Sequence, residues 1–134
     1  MDLKEFFKRD QFAAYCGIEL LEVSPGGAKV RMKVEERHLN GLRTVHGGAI
    51  FTLADFAFAI ACNSHGTVAV ALNVSINFVK AAFPGMTLYA DAKEVSVSPK
   101  IGTYDIRVTN EKGELIATFE GLAYRKKEKL EELV

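Results

Sequence analysis

Residues 46–62 read HGGAIFTLADFAFAIAC, a helix-length stretch that is apolar almost all the way round and is broken near its middle by one carboxylate, Asp55. A helix apolar on every side cannot lie on a protein surface and has to be enclosed. The 49–62 stretch is too short for a comfortable membrane span, and it carries Asp55. The enclosure must therefore come from the rest of the chain.

The flanking sequence supplies a sheet. Residues 17–24, the Pro25-Gly26-Gly27 turn and residues 28–34 read as a hairpin-like pair of strands. A polar loop at 38–45 leads into the central helix. Beyond the helix, Asn63-Ser64-His65-Gly66 carries stop and turn chemistry. Val70, Leu72, Val74, Ile76 and Phe78 then alternate with Ala69, Ala71, Asn73, Ser75 and Asn77. This predicts a strand that buries the first set and turns the small and polar second set away from the core. Pro84-Gly85 precedes a long strand at 87–97. Ser98-Pro99-Lys100 turns into 102–109, where Tyr104, Ile106 and Val108 share a face, and Asn110-Glu111-Lys112-Gly113 forms a hairpin loop into a last strand at 115–124. One buried helix, a strand pair before it and three or four antiparallel strands after it predict an α+β fold in which a curved sheet wraps the helix.

The length, 134 residues, and the 49% apolar content suit one domain spanning 1–134. Leu3, Phe6, Phe7 and Phe12 predict a short amphipathic N-terminal helix at about 2–14 that docks on the domain. The mixed charges of RKKEKLEELV predict a solvated tail or frayed helix at about 125–134. The N-terminus lacks the apolar core of a signal peptide, and Cys16 and Cys62 fall in no metal-ligand or redox spacing. Reduced thiols in a cytoplasmic protein are expected. Lys+Arg and Asp+Glu both number 17, so no net field gathers nucleic acid or an anionic membrane, and neither is expected as a partner. An anionic ligand would need a local patch, for which Lys80, Lys100 and Arg125 are candidates; ordinary solvated charge is the alternative for each.

Chemistry concentrates around the central helix. Gly47 and Gly48 at its start present backbone N–H groups that no helical carbonyl accepts and no side chain shields. Aided by the helix dipole, such groups suit a carbonyl oxygen that becomes an oxyanion. The alternative is that Gly-Gly only permits a tight turn or close packing. Asp55 is either a reactive carboxylate or a structural one satisfied by backbone or hydroxyl groups, with Thr52 as a neighbour. His46 can serve as general base, but its place before Gly47 favours holding the turn. Asp55 follows Gly47 by eight residues, or about 12 Å of helix rise, so one small reacting group cannot touch both within a chain. If both serve one reaction, a second subunit must lay its helix antiparallel to the first, giving a dimer with two equivalent sites.

Asn40-Gly41, followed by the run from His46-Gly47-Gly48 through Leu53-Ala54-Asp55 and on to Phe56-Ala57-Phe58-Ala59, resembles the hot-dog-fold acyl-CoA thioesterases of the phenylacetic-acid-degradation (PaaI) type. Ile76-Asn77-Phe78 and Gly102-Thr103-Tyr104-Asp105 sit at the offsets that family uses, and the similarity spans roughly residues 15–125. The resemblance implies that the Gly47 N–H polarises the thioester carbonyl while Asp55 of the partner chain activates water or attacks directly. Asn40, His46 and Gly48 match positions that shape the site or approach the thioester. Asn73 falls where several relatives carry Ser or Thr to position water; an amide still donates and accepts hydrogen bonds. The implied substrate is an acyl-CoA, with phenylacetyl or hydroxylated phenylacetyl as the family's acyl group, although short and medium aliphatic chains fit the same apolar description. Phe51 and Phe56 are candidates to line the acyl slot. No metal or other cofactor is implied, and the expected assembly is a homodimer at minimum, with a homotetramer as its larger form. Two other readings stand beside this one. A hot-dog dehydratase or hydratase would pair a His with an acid at carbon, for which His46 and Asp55 lie too far apart along one helix. A noncatalytic acyl-CoA-binding module would gain little from a buried Asp55.

Overall fold

The computed structural model describes residues 1–134. Two short helices, α1 (Leu3–Phe7) and α2 (Gln11–Tyr15), precede strands β1 (Ile18–Ser24) and β2 (Gly27–Lys33). The long helix α3 (Gly47–Asn63) follows, then β3 (Thr67–Phe78), β4 (Thr87–Val97), β5 (Ile101–Asn110) and β6 (Leu115–Lys129). Single 3-10 turns lie at Glu36–His38 and Leu130–Leu133. The six strands form one antiparallel sheet in the order β1-β2-β4-β5-β6-β3. Helix α3 meets every one of them, which a straight rod can do only if the sheet curls around it. The expected α+β arrangement of a wrapped helix is what the chain forms.

Residue choice on the two surfaces explains the wrap. On α3, Leu53, Ala54, Ala57, Ile60 and Ala61 are wholly buried, and the alanines let strands approach closely. The sheet answers with Val30 and Met32 from β2, Leu88 and Ala90 from β4, and Ile106 and Val108 from β5. These alternate with outward residues, as the two-residue period of a strand requires. Phe58 lies between Tyr104 and Phe119, with ring centroids 5.7 and 5.8 Å away. Its ring fills the space beside Gly121, where a Cβ would come within 2.6 Å of it. The β1–β2 turn works because Gly26 takes φ +77°, the left-handed conformation that a residue following Pro25 needs there.

Strand β3 departs from the expected alternation. Its register against β6 slips between Ala71 and Asn73, so Leu72 is an extra residue in a β-bulge and the parity of the strand reverses across it. Val74 and Ile76 face α3 beside Gly121 and Phe119, but Val70 points to the opposite face and, with Leu72, is exposed. The N-terminal helix expected at 2–14 is two helices. The Asp10 carboxylate accepts the Ala13 N–H at 2.9 Å and restarts the chain as α2, and Phe12 remains 63% exposed instead of docking. The segment expected as a tail at 125–134 instead continues β6 to Lys129, because β3 offers a pairing edge as far as Thr67↔Lys129. Leu130 is then buried, and its N–H donates to the Gly66 carbonyl.

A polar cluster fastens the C-terminal end of α3. Buried Asn63 bonds the backbone of Ala69 through both ends of its amide, and Ser64 Oγ accepts the Gly26 N–H at 2.8 Å. Glu94 Oε2 is bonded by His65 Nε2 at 2.6 Å and by the Tyr104 hydroxyl at 2.7 Å. Burial by itself would raise the Glu94 carboxyl; the hydrogen bonds from His65 and Tyr104, with the nearby charges of His65 and Arg125, outweigh it and hold the group below the usual carboxylate range.

Candidate active site

The loop between β2 and α3 is built to present the start of the helix. His38 is buried; its Nδ1 accepts the Glu35 N–H at 2.9 Å and its Nε2 meets the Cys16 carbonyl at 2.8 Å. A carbonyl only accepts, so the ring is neutral with its proton on Nε2. The His38 carbonyl in turn receives the His46 N–H at 2.8 Å. Asn40 organises the bend: its Oδ1 accepts the N–H groups of Leu42 and Thr44 at 2.9 and 3.2 Å, and its Nδ2 donates to Thr44 Oγ1 at 2.9 Å. Asn40 thus shapes the loop, with its amide committed to loop partners. Arg43 holds a left-handed φ of +66° at the tip and is paired with Glu36.

At the start of α3 the two glycines part ways. His46 Nδ1 accepts the Gly48 N–H at 2.8 Å, so His46 caps the helix and Gly48 is not free. A Cβ on Gly48 would lie 2.9 Å from that nitrogen, so a side chain there would dislodge the cap. The N–H groups of Ala49 and Ile50 both go to the His46 carbonyl. That leaves the Gly47 N–H unpaired, aimed along the positive end of the helix dipole. Gly47 borders a cavity of about 300 Å³ together with Ile50, Phe78 and Lys80, and its missing side chain makes room for the Phe78 ring, which a Cβ would approach to 3.2 Å. The glycine pair therefore serves close packing and also leaves one N–H available.

Asp55 lies with Gly48, Thr52 and Ala59 on a helix flank that the sheet leaves incompletely covered. The Thr52 hydroxyl, its expected structural partner, donates instead to the Gly48 carbonyl at 2.7 Å. No group in the chain donates a hydrogen bond to the Asp55 carboxylate. Burial pushes its pKa up, and the negative charge of Asp10 pushes it further in the same direction. The result is a partly desolvated base without a partner. The continuous helix between them sets Gly47 and Asp55 of one chain about 12 Å apart along the axis.

Asn73 is not brought to either residue within the chain. Just past the bulge, it pairs with Leu122 on the face turned away from α3, and there it lines a groove with Ser75, Asp105, Arg107 and Glu120. Phe51 packs edge-on against Phe119 at 5.4 Å, in the core; Phe56 is buried and reaches a separate cavity under the N-terminal helices. Of the three cations, Lys80 borders the Gly47 cavity and is paired with Glu114. Arg125 is structural, its Nη1 donating to the Ser98 carbonyl at 2.9 Å, and Lys100 is exposed at the β4–β5 turn. No signal in the sequence pointed to Phe78 beside Gly47 or to Asp10 near Asp55, since both approaches join distant segments. The only local cue was the spacing that makes Asp10 a helix cap.

Known proteins are similar to this chain in sequence and fold. Residues 42–117 match the family model described as the thioesterase superfamily. A putative esterase of Archaeoglobus fulgidus is 46% identical over 119 residues, covering 89% of this chain and 77% of that protein. The acyl-coenzyme A thioesterase PaaI of Escherichia coli is 40% identical over 119 residues, covering 89% and 85%. The solved structure of that PaaI protein, from the phenylacetic acid degradation operon, superposes with a TM-score of 0.91 over 93% of this chain and 91% of its own. A hypothetical thioesterase of Streptococcus pneumoniae, solved with coenzyme A, is 26% identical with a TM-score of 0.86 over 93% and 98%.

Proposed function

The chain belongs to the thioesterase superfamily and is an acyl-CoA thioesterase with the hot-dog fold; from that premise we propose that it hydrolyses phenylacetyl-CoA, a hydroxylated derivative or another small-to-medium acyl-CoA at a site shared between two chains. The observation that carries the site is the pairing of two unsatisfied groups, the free Gly47 N–H and the unpartnered Asp55 carboxylate. The thioester oxygen accepts the Gly47 N–H of one chain, which stabilises negative charge as the carbonyl carbon is attacked. Asp55 of the other chain takes a proton from water, whose oxygen bonds to that carbon. The tetrahedral intermediate collapses by breaking the C–S bond, and the thiolate leaves with a proton as free CoA. His46 holds the turn through its bond to Gly48, and Asn40 holds the loop behind it.

Two features support the shared site. Gly47 and Asp55 of one helix are too far apart for one carbonyl, as their spacing along α3 requires. Strand β3 also ends the sheet with an unpaired edge and carries exposed Val70 and Leu72, with Phe78 and Val79 exposed at its end. An open apolar edge of this kind invites a second strand. A two-fold axis beside β3 continues the sheet and sets the two α3 helices antiparallel. Lys80 borders the Gly47 cavity and would exchange its surface partner Glu114 for a phosphate of the anionic coenzyme. The phenylacetyl assignment draws on the operon of the E. coli relative.

The test is thiol release from aryl-acetyl and C2 to C16 acyl-CoAs, with and without EDTA, beside the matching oxygen esters. Hydrolysis of the thioesters alone, at a rate EDTA does not change, is expected because Gly47 supplies the polarisation a metal would otherwise give. A strict metal requirement, or tight acyl-CoA binding without release of free CoA, overturns the proposal.

A further inference from the structure

From Thr52 to its end, helix α3 has one open flank. Only Thr52, Asp55 and Ala59 are not buried over that length. With Gly48 before them they fall at intervals of four, three and four residues, the spacing at which one helix meets another along a seam. Charge along the flank is complementary to itself. The start of the helix presents the positive end of its dipole and the unpaired Gly47 N–H, and the middle presents the Asp55 carboxylate, which accepts no hydrogen bond in its own chain. A second copy of α3 laid antiparallel meets both needs at once, which a parallel copy does not.

Symmetry then sets the register. If Gly47 of each chain faces Asp55 of the other, the two-fold axis crosses α3 midway between them, at residue 51. Phe51 is turned into the core against Phe119, so the residue of the open flank nearest the axis is Thr52. Each thioester lies half of the Gly47–Asp55 interval, or about 6 Å of helix rise, to one side of that axis. The Thr52 hydroxyl donates to the Gly48 carbonyl at 2.7 Å, which commits its proton to its own helix. What Thr52 presents across the axis is therefore bulk, and no hydrogen-bond donor. Resting on the shared-site reading above, we propose that Thr52 is a positioning residue: the two Thr52 side chains meet on the two-fold axis and fix how closely the α3 helices approach, and with it the gap between the Gly47 N–H of one chain and the Asp55 carboxylate of the other.

Two measurements test this. A short bis-maleimide should join Thr52→Cys chains to one another, because both thiols lie at the axis. Ala59→Cys is on the same flank, but its two thiols would be about 24 Å apart along the helices, and it should stay unlinked. The wild-type chain, with Cys16 and Cys62, is the control. In kinetics, Thr52→Leu reaches one bond further from each side and should lower kcat about a hundredfold, the scale of a ~1 Å misplacement, with little change in KM. Thr52→Val keeps the shape of the side chain and should retain most of the turnover. A Leu variant that falls to monomers, with the Val variant dimeric and active, supports the same contact. Unlinked Thr52→Cys chains, Ala59→Cys chains that link as readily, or Thr52→Leu dimers with wild-type kcat overturn the spacer and leave the hydrolase reading intact. A Val variant as slow as the Leu variant moves the effect to the hydroxyl and overturns it too. No thiol release from any acyl-CoA by the wild-type chain overturns both.

Discussion

At the scale of the residue, Asp55 carries a cost that its proposed chemistry explains. A carboxylate that is partly buried and accepts no hydrogen bond in its own chain is destabilising in its charged form. Its pKa is raised by burial and then by Asp10. A carboxyl whose folded pKa exceeds its unfolded value stabilises the fold fully below the unfolded pKa, and loses that contribution as pH rises through the folded one. At pH 7 the charged Asp55 is therefore a burden that Asp55→Asn removes. The variant should be at least as stable as wild type at pH 7, with the difference shrinking toward pH 4, in thermal melts at both pH values. The same substitution should lower turnover about a hundredfold or more, the lower range for loss of a general base. Near-normal turnover by pure Asp55→Asn protein would remove Asp55 from the mechanism. In the wild type, the acid limb of kcat/KM should turn over above the ordinary Asp pKa of about 3.9; a limb at or below that value would contradict the desolvated setting. The sequence showed the anomaly of Asp55, because one carboxylate in an apolar run is conspicuous. It did not show that Thr52 turns away to Gly48 or that Gly48 is taken by His46, since rotamers and caps are settled by local geometry.

Between elements, the contact of α3 with the sheet leaves little tolerance. Phe58 is 1% exposed and held between Tyr104 and Phe119, so it cannot yield to a Cβ placed 2.6 Å away on Gly121. Gly121→Ala should destabilise the protein by about 1–3 kcal/mol, as overpacked cores do. The shift would appear as a lower urea midpoint with an unchanged slope. A midpoint equal to wild type would mean that α3 and β6 can move apart freely. Most elements were legible from periodicity: α3, β4 and β5 fall where their apolar spacing put them. Strand β3 was legible as a strand, and its faces were legible beyond Leu72 but not before it. Its sequence alternates evenly through Leu72, which set Val74 and Ile76 on the core face and Asn73 away from it as the structure has them, but only the ladder with β6 inserts the bulge that turns Val70 to the outer face and leaves Leu72 exposed. The charged stretch from Arg125 is likewise a strand as far as Lys129, because a pairing edge was waiting for it. Propensity along a single segment contains no information about such an edge.

For the whole molecule, the decisive question is which chain completes the site. Gly47→Pro removes the N–H outright while keeping a first-turn geometry that proline tolerates, and the Phe78 ring it would crowd is 55% exposed and free to shift. Gly47→Pro and Asp55→Asn homodimers should each be inactive. Mixed dimers should recover activity, since each holds one intact site and one doubly damaged site. Verified heterodimers without recovery would place both groups in one chain's site, or reduce Gly47 to a packing role. The sequence by itself determined the enclosed helix, the α+β class and the Gly47 and Asp55 pair, because hydrophobic period and a stranded charge are properties of neighbouring residues. Only the tertiary structure decided the strand order that leaves β3 at the edge, the bulge at Leu72 and the meeting of Asp10, Phe56 and the N-terminal helices around one cavity. Those features join segments far apart in the chain, and their energies come from pairing and packing that exist only once the sheet has closed around the helix.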